Sequence, residues 1–156
     1  MRQITDDLTD AGREVLQNIA DQNVHVMHVT TDAGVPSFAY TVGLWHHFQQ
    51  PEVIVFGLDV DAAEELLHNV ADACADGARF GHGDKHDGLL VGFAVRFLDV
   101  ARDVGCERLG AAAWAYEGED FDSVQLVWPD KEKRWPWEGG VRQGFADLQP
   151  LLGPRP

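Results

Sequence analysis

Tyr40, His46 and His47 are the residues of this chain whose types and spacing best suit proton-transfer chemistry. They lie in and just after an apolar run, and Trp45 directly precedes the two histidines. An imidazole titrates near neutral pH, so a histidine here could serve as general acid or base beside the Tyr40 hydroxyl. These three residues form our candidate catalytic group. An exposed polar turn is the alternative interpretation of the histidines.

A second group of aromatic residues lies near the C-terminus, where three tryptophans and two prolines fall between positions 128 and 137. Such surfaces stack on aromatic ligands or bind peptides, and nearby amide or carboxylate groups add polarity. They also act as clamps that bury a chain terminus, and that alternative stays open. If both groups meet in one cleft, the candidate ligand contacts are Thr41, Gly43, Trp45, Gln125, Trp128, Asp130 and Trp135.

The seven histidines include the close pairs His25/His28, His46/His47 and His82/His86, which could supply metal ligands if the fold joins them. The loop around His82 and His86 also carries Asp84 and Asp87, but its glycines disfavour the helix on which histidines four apart share one face. Metal binding and plain solvation of this loop both stay open, and we assign no metal ligand.

Other recognisable chemistry is missing from the sequence. No GxSxG, GxGxxG or GxxxxGK[ST] motif occurs, so neither a hydrolase nucleophile elbow nor a phosphate-binding loop is indicated. The two cysteines, Cys74 and Cys106, form no CxxC pair, and a reduced compartment is expected.

The charge balance restricts the partners. Among 156 residues there are 12 Lys and Arg against 26 Asp and Glu, which gives a formal net charge of -14. This field repels nucleic acid and anionic membranes, and no apolar run approaches the ~18 residues of a membrane span. We expect a cytoplasmic globular protein whose partner is a small molecule or another protein.

Periodicity predicts the elements that must position these residues. Helices are expected over residues 5–20, from Asp61 to Gly77 with Asp61 and Glu64 as the N-cap pattern, and weakly within 103–120. Strands are expected at residues 24–30, 37–44, 53–58, 89–100 and 124–128, the first two joined as a hairpin by the turn Asp32-Ala33-Gly34. Gly92 marks a bend in the fourth strand.

One face of the second strand is nearly flat, because Ser37, Ala39, Thr41 and Gly43 alternate with bulky neighbours. Flat faces admit either a packed helix or a planar ligand. The element order predicts a single α+β domain over residues 1–156, with a mainly antiparallel sheet of which a split-barrel-like arrangement is one version, and with residues 129–156 packed on the body as a tail.

Three segments carry a family resemblance: residues 38–44 (FAYTVGL), residues 51–58 (PEVIVFGL), and residues 126–130 (LVWPD) with Trp135-Pro136-Trp137. In that order they resemble the bacterial domain-of-unknown-function 4262 family. The family is functionally uncharacterised, so the resemblance implies no catalytic residue. It marks motif positions only, namely Tyr40, Thr41, Gly43, Pro51, Glu52, Gly57, Trp128, Pro129 and Asp130. Where the family pattern has His-Pro-Glu, this chain has Gln50-Pro51-Glu52.

Two functions follow as expectations. The first is a small-molecule cleft, in an accessory or tailoring enzyme, that binds an aromatic or flavin-type ligand; the flavin rests on the analogy of element order to split barrels. The second is a non-catalytic module that binds a protein or peptide through its acidic surface and the Trp/Pro tail.

Overall fold

A computed structural model of the chain describes residues 1–32 and 35–156. The predicted turn at Asp32-Ala33-Gly34 therefore lies partly outside the described residues, since these exclude Ala33 and Gly34. The described elements, in chain order, are α1 Asp10–Gln22, β1 His25–Val29, β2 Phe38–Val42, α2 Leu44–Phe48, β3 Glu52–Phe56, α3 Val60–Ala75, β4 Lys85–Leu90, β5 Phe93–Val100, α4 Arg102–Arg108, α5 Gly110–Ala115, β6 Ser123–Val127 and α6 Gln143–Leu148.

The strands form one mixed sheet in the order β1-β2-β3-β6-β5-β4. Within the described residues, only the central pair, β3 with β6, runs parallel, and the other neighbours are antiparallel. The predicted α+β class with a mainly antiparallel sheet is confirmed. The sheet is open, with β1 and β4 at its edges, so the finer expectation of a split-barrel-like arrangement gains no support from this topology.

The two long helices begin at different residues from those predicted. α1 begins at Asp10, where the Thr9 hydroxyl accepts a hydrogen bond from the Gly12 N–H. α3 begins after Asp59, whose carboxylate accepts from the Ala62 N–H at 2.8 Å, so Asp59 and not Asp61 is the N-cap. In both cases an oxygen-bearing side chain closer to the true first turn satisfies a free backbone N–H.

The predicted long strand over residues 89–100 is wrong. The chain reverses at Val91-Gly92, and β4 pairs with β5 as an antiparallel hairpin in which Leu90 lies opposite Phe93. The ambiguous segment after Asp103 forms two short helices, α4 and α5, in place of one.

Helices cover both faces of the sheet, and strand side chains alternate between two apolar cores. α3 covers one face, where Leu67 and Val70 pack with Ala39 and Val55. α1 and α5 cover the other face around Tyr40 and other strand residues. The flat face of β2 therefore contacts a helix at Ala39, as the helix-packing alternative predicted.

The segment after β6 packs along β5 and β6. Trp135 is 7% exposed and lies in a small core with Leu98 and Val127. Gln125 on β6 binds this segment twice, because its Nε2 donates to the Pro150 carbonyl and its Oε1 accepts from the Leu152 N–H, both at 2.9 Å. In the part of the chain that the structure describes, no helix has the length and apolar character needed to cross a bilayer.

Candidate functional site

A buried carboxylate organises the end of the sheet where β2 finishes and β3 starts. Glu52, the first residue of β3, has no exposed surface. Its Oε1 accepts from the Thr41 hydroxyl at 2.8 Å and the Leu44 N–H at 3.1 Å. Its Oε2 accepts from the Gly43 N–H at 3.0 Å, the Trp45 N–H at 3.3 Å and the Tyr116 hydroxyl. We call these groups the Glu52 network.

Every partner of Glu52 is a donor, so the ionised carboxylate satisfies the whole network. Thr41 is fixed as a donor because its oxygen already accepts from the Val53 N–H at 2.9 Å. The Tyr116 oxygen accepts from the N–H groups of Gly43 and His46, both at 3.2 Å. Burial raises the pKa of the Glu52 carboxyl, and the hydrogen bonds from Tyr116, Gly43, Thr41 and Trp45 oppose that rise.

Three of the predicted site residues are buried and contribute to packing and hydrogen bonding within the fold. Tyr40 is 2% exposed, and its hydroxyl accepts from the Ala111 N–H at 2.9 Å at the start of α5. Thr41 has no exposed surface. At Gly43 an added Cβ would lie 2.5 Å from the Asn23 carbonyl oxygen, so the backbone there already contacts the end of α1. The strand therefore offers no open cleft over Thr41 and Gly43.

The predicted turn after β2 is the short helix α2. Trp45 is half-buried in the core that contains α1, while His46 and His47 are exposed. His47 Nε2 donates to the Ile19 carbonyl at 2.9 Å. Partial burial lowers the pKa of His46, and the neighbouring His47 adds to this effect. His47 thus joins α2 to α1 at the surface.

His25 on β1 gives a pH-dependent prediction. Its Nδ1 accepts from the Asn18 amide at 3.0 Å, which fits the neutral ring, and burial lowers its pKa below 6.5. A lowered pKa means that the unfolded chain takes up the proton first, so the free energy of unfolding falls as pH drops below about 6.5. We expect His25→Gln to lose less stability than wild type between about pH 7.5 and pH 5.5, measured by urea unfolding. An unchanged loss in this variant would contradict the assignment.

The loop around His82 and His86, for which metal binding and solvation were both left open, makes other contacts. His82 Nδ1 accepts from the Asp99 N–H at 3.0 Å, while His86 lies on β4 with its ring edge-on to Phe80. Elsewhere His28 and His68 both contact the Glu64 carboxylate, at 2.6 and 3.1 Å. Within residues 1–32 and 35–156, no group of three or more His, Cys, Asp or Glu is arranged to hold a metal ion.

Cys74 lies on the buried face of α3 and packs in the core. Burial raises the pKa of its thiol to about 12, so the thiolate is not formed near neutral pH.

Trp128 lies at the opposite end of the sheet from the Glu52 network. Its indole N–H donates to the carbonyl of Phe56, the last residue of β3, at 2.8 Å. Glu52 and Phe56 are the two ends of β3, about 13 Å apart at ~3.3 Å per residue. The expected single cleft between segments 40–47 and 128–130 is therefore not assembled.

The aromatic end of the sheet does contain a groove, which we call the aromatic groove. It has a volume of about 630 Å³, and its apolar wall includes Phe93, Trp128, Phe145 and Leu148. The Trp128 and Phe145 rings meet edge to face, with centroids 5.2 Å apart. Asp130 lies on its rim, where its carboxylate accepts from the Arg134 guanidinium at 3.0 Å.

Of the other predicted ligand contacts, Gln125 holds the C-terminal segment, as described above. Trp135 stacks on Trp137 with ring centroids 5.8 Å apart and also lines a neighbouring chamber. Trp135 and Trp137 therefore pack as a clamp on the body of the protein, which was the alternative interpretation of the C-terminal aromatic residues.

Comparison with protein-family models assigns the chain to a family but gives no mechanism. The family model described as domain of unknown function (DUF4262) matches residues 18–142 of the chain. The chain belongs to this family. No curated protein and no solved structure matches the chain.

The family motif positions divide between the two ends of β3. Thr41, Gly43 and Glu52 form the Glu52 network, and Gly57 and Trp128 adjoin the aromatic groove. Gln50, which replaces the expected histidine, is 5% exposed and accepts from the Phe80 N–H at 3.4 Å.

The Glu52 network was not predicted, although the sequence carries a signal for it. Glu52 directly precedes the apolar strand expected at residues 53–58, and a carboxylate buried with such a strand requires hydrogen-bond partners. Tyr116 carries no comparable signal, because it lies 64 residues from Glu52 in an irregular segment.

Proposed function

We propose that the protein binds a small molecule with a planar apolar part in the aromatic groove. The observation that carries this proposal is the wall that the half-buried rings of Trp128 and Phe145 form in a concave surface. A volume of about 630 Å³ falls within the ~300–1,000 Å³ of small-molecule sites. Aromatic rings at edge-to-face spacing offer a planar ligand both stacking and edge contacts.

The groove is held in shape before any ligand arrives. Gln149 is 2% exposed, and its amide bonds both main-chain groups of Trp128, accepting from the N–H at 3.0 Å and donating to the carbonyl at 2.8 Å. The indole is fixed to Phe56 as described. A preformed site loses less conformational entropy when a ligand binds.

Two exposed apolar side chains favour the same surface. Val91, at the tip of the β4–β5 hairpin, is 88% exposed, and Leu148, at the end of α6, is 39% exposed. Both line the aromatic groove. A ligand seated there would remove their apolar area from water, which favours binding.

The proposal concerns binding, and it does not include catalysis by Tyr40, His46 and His47, which lie at the far end of β3. A protein-binding role for the Trp/Pro tail is less favoured, because Trp135 and Pro136 are buried. Flavins fall within the proposed ligand class, and riboflavin is a direct probe for them.

The test is titration of ¹⁵N-labelled protein with 2-naphthol and with riboflavin, followed by NMR. We expect saturable shifts of the Trp128 indole N–H signal with 2-naphthol. Phe145→Ala removes one wall of the groove and should weaken 2-naphthol binding about tenfold. Shifts with riboflavin would identify flavins as ligands, and no shifts would remove flavins from the proposed class.

Phe48→Ala is the matched control, because Phe48 is also half-buried but lies on α2. It should bind 2-naphthol as wild type does. The proposal fails if 2-naphthol leaves the Trp128 signal unmoved, or if both phenylalanine variants bind the probe equally well.

A further inference from the structure

The charge lining the groove region is opposite in sign to the charge of the whole chain. A second chamber of about 500 Å³, the hairpin chamber, adjoins the aromatic groove along Leu90, Val91, Phe93 and Pro129. Five cationic side chains and three acidic ones line the two cavities, a local balance of +2 in a chain of net charge -14. The net charge of the chain repels anions, and the local excess of cations opposes that repulsion here.

All three lysines of the chain are in this cluster. Lys85 and Lys133 line the hairpin chamber, and Lys131 lines the aromatic groove. Each is exposed, and none makes an ion pair with any residue that the structure describes. Their ammonium groups are therefore available to a ligand.

The two cavities differ in how far their cations are neutralised. In the aromatic groove, Arg134 already pairs with Asp130 at 3.0 Å and with Glu132 at 3.4 Å. In the hairpin chamber the only acidic lining residue is Asp87, and it makes no ion pair within the described ranges. Each cavity keeps an excess of one positive charge, and neither lysine of the hairpin chamber makes an ion pair within the described ranges.

A further cation lies behind the wall of the hairpin chamber. Arg96 is the β5 partner of Lys85, and its guanidinium carbon lies 5.2 Å from the centre of the Trp135 ring that lines the chamber. Its Nε is buried and has no hydrogen-bond partner among the described residues. Arg96 is half-buried and makes no ion pair within the described residues, so its guanidinium adds to the positive potential on this side of the sheet.

We infer that the ligand of the aromatic groove is an anion whose carboxylate or phosphate group lies in the hairpin chamber between Lys85 and Lys133. The inference rests on the proposed function, because the apolar part of the ligand occupies the aromatic groove. Ammonium groups bind both kinds of oxyanion through charge-assisted hydrogen bonds.

Three naphthalene probes of similar size separate the contribution of the apolar ring to affinity from the contribution of the anionic group. The neutral 2-naphthol is compared with 2-naphthoate and 2-naphthyl phosphate by isothermal titration calorimetry. We expect both anions, or one of them, to bind about tenfold more tightly than 2-naphthol at low ionic strength. This advantage should shrink between about 20 mM and about 500 mM salt, because the cations are exposed. The preferred anion distinguishes a carboxylate ligand from a phosphate ligand.

The lysines themselves are tested by substitution. Lys85→Gln/Lys133→Gln should reduce the affinity for the preferred anion to that of 2-naphthol and leave 2-naphthol binding unchanged. Lys85→Arg/Lys133→Arg should restore most of the affinity. Arg79→Gln/Arg108→Gln removes the same charge from two exposed positions outside both cavities and should retain wild-type binding of all three probes.

The outcomes separate the two proposals. If no probe binds, the proposed function itself fails. If 2-naphthol binds as tightly as both anions, or if the Lys85/Lys133 variant keeps full affinity for them, the anion inference is overturned and the aromatic groove remains a site for neutral ligands.

Discussion

Glu52→Gln is expected to lower the free energy of unfolding by about 3 kcal/mol. The amide places an NH₂ group where one carboxylate oxygen accepts at least two hydrogen bonds, so donors would face donors in a region without exposed surface. If the NH₂ replaces Oε1, the Leu44 N–H loses its acceptor. If it replaces Oε2, the N–H of Trp45 does so. Urea unfolding at neutral pH measures the effect.

The magnitude follows from two opposing terms. Removing the charge relieves the cost of burying it, the same cost that raises the pKa of Glu52. However, the network supplies five donors to the two oxygens, and each buried donor left without an acceptor costs ~1–3 kcal/mol. Because the donors belong to β2, α2 and the end of α5, the loss spreads over three segments.

Two further variants make this prediction decisive. Glu65→Gln changes an exposed carboxylate on α3 and should alter stability by less than about 0.5 kcal/mol. Tyr116→Phe removes one donor to Glu52 and one acceptor for Gly43 and His46, at a cost of about 1–2 kcal/mol. If Glu52→Gln and Glu65→Gln are equally stable, the carboxylate does not organise this end of the sheet.

The sequence predicted the sheet class because strand patterns are local, and it failed where pairing direction decides the outcome. Segments 40–47 and 128–130 both combine family motif positions with aromatic and titratable side chains, which suggested one cleft. β2 runs antiparallel to β3, whereas β6 runs parallel to β3. The C-terminal ends of β2 and β6 therefore point in opposite directions along the strands of the sheet. No residue pattern within either strand specifies that relation.

The β4–β5 hairpin was not predicted because the residue pattern around its turn is the pattern of a continuous strand. Apolar residues at Leu89, Val91 and Phe93 continue an alternation of period two across the turn, so the pattern resembles one long strand. A two-residue turn at Val91-Gly92 reverses the chain without interrupting that alternation. The groove, whose rim includes Val91, was therefore also missed.

Gly57→Ala is expected to disrupt the aromatic groove and to lower stability by about 2–3 kcal/mol. Gly57 follows β3 with φ +81°, and an added Cβ would lie 2.8 Å from the Leu148 carbonyl oxygen and 2.9 Å from the Leu148 Cβ. These contacts are too short, and the carbonyl is backbone, so the end of α6 must move. Leu148 lines the groove, and the next residue, Gln149, holds Trp128.

Gly77→Ala isolates the steric part of this effect. Gly77 has φ +97°, but an added Cβ there meets no atom within 4 Å, so the substitution carries only the backbone strain of a positive φ. We expect Gly77→Ala to retain wild-type affinity for 2-naphthol and Gly57→Ala to lose it, with urea unfolding recorded for both. Equal stability and equal probe binding in the two variants would show that α6 does not depend on close approach to β3. Loss of binding in Gly57→Ala alone would place the end of α6 in the wall of the binding site.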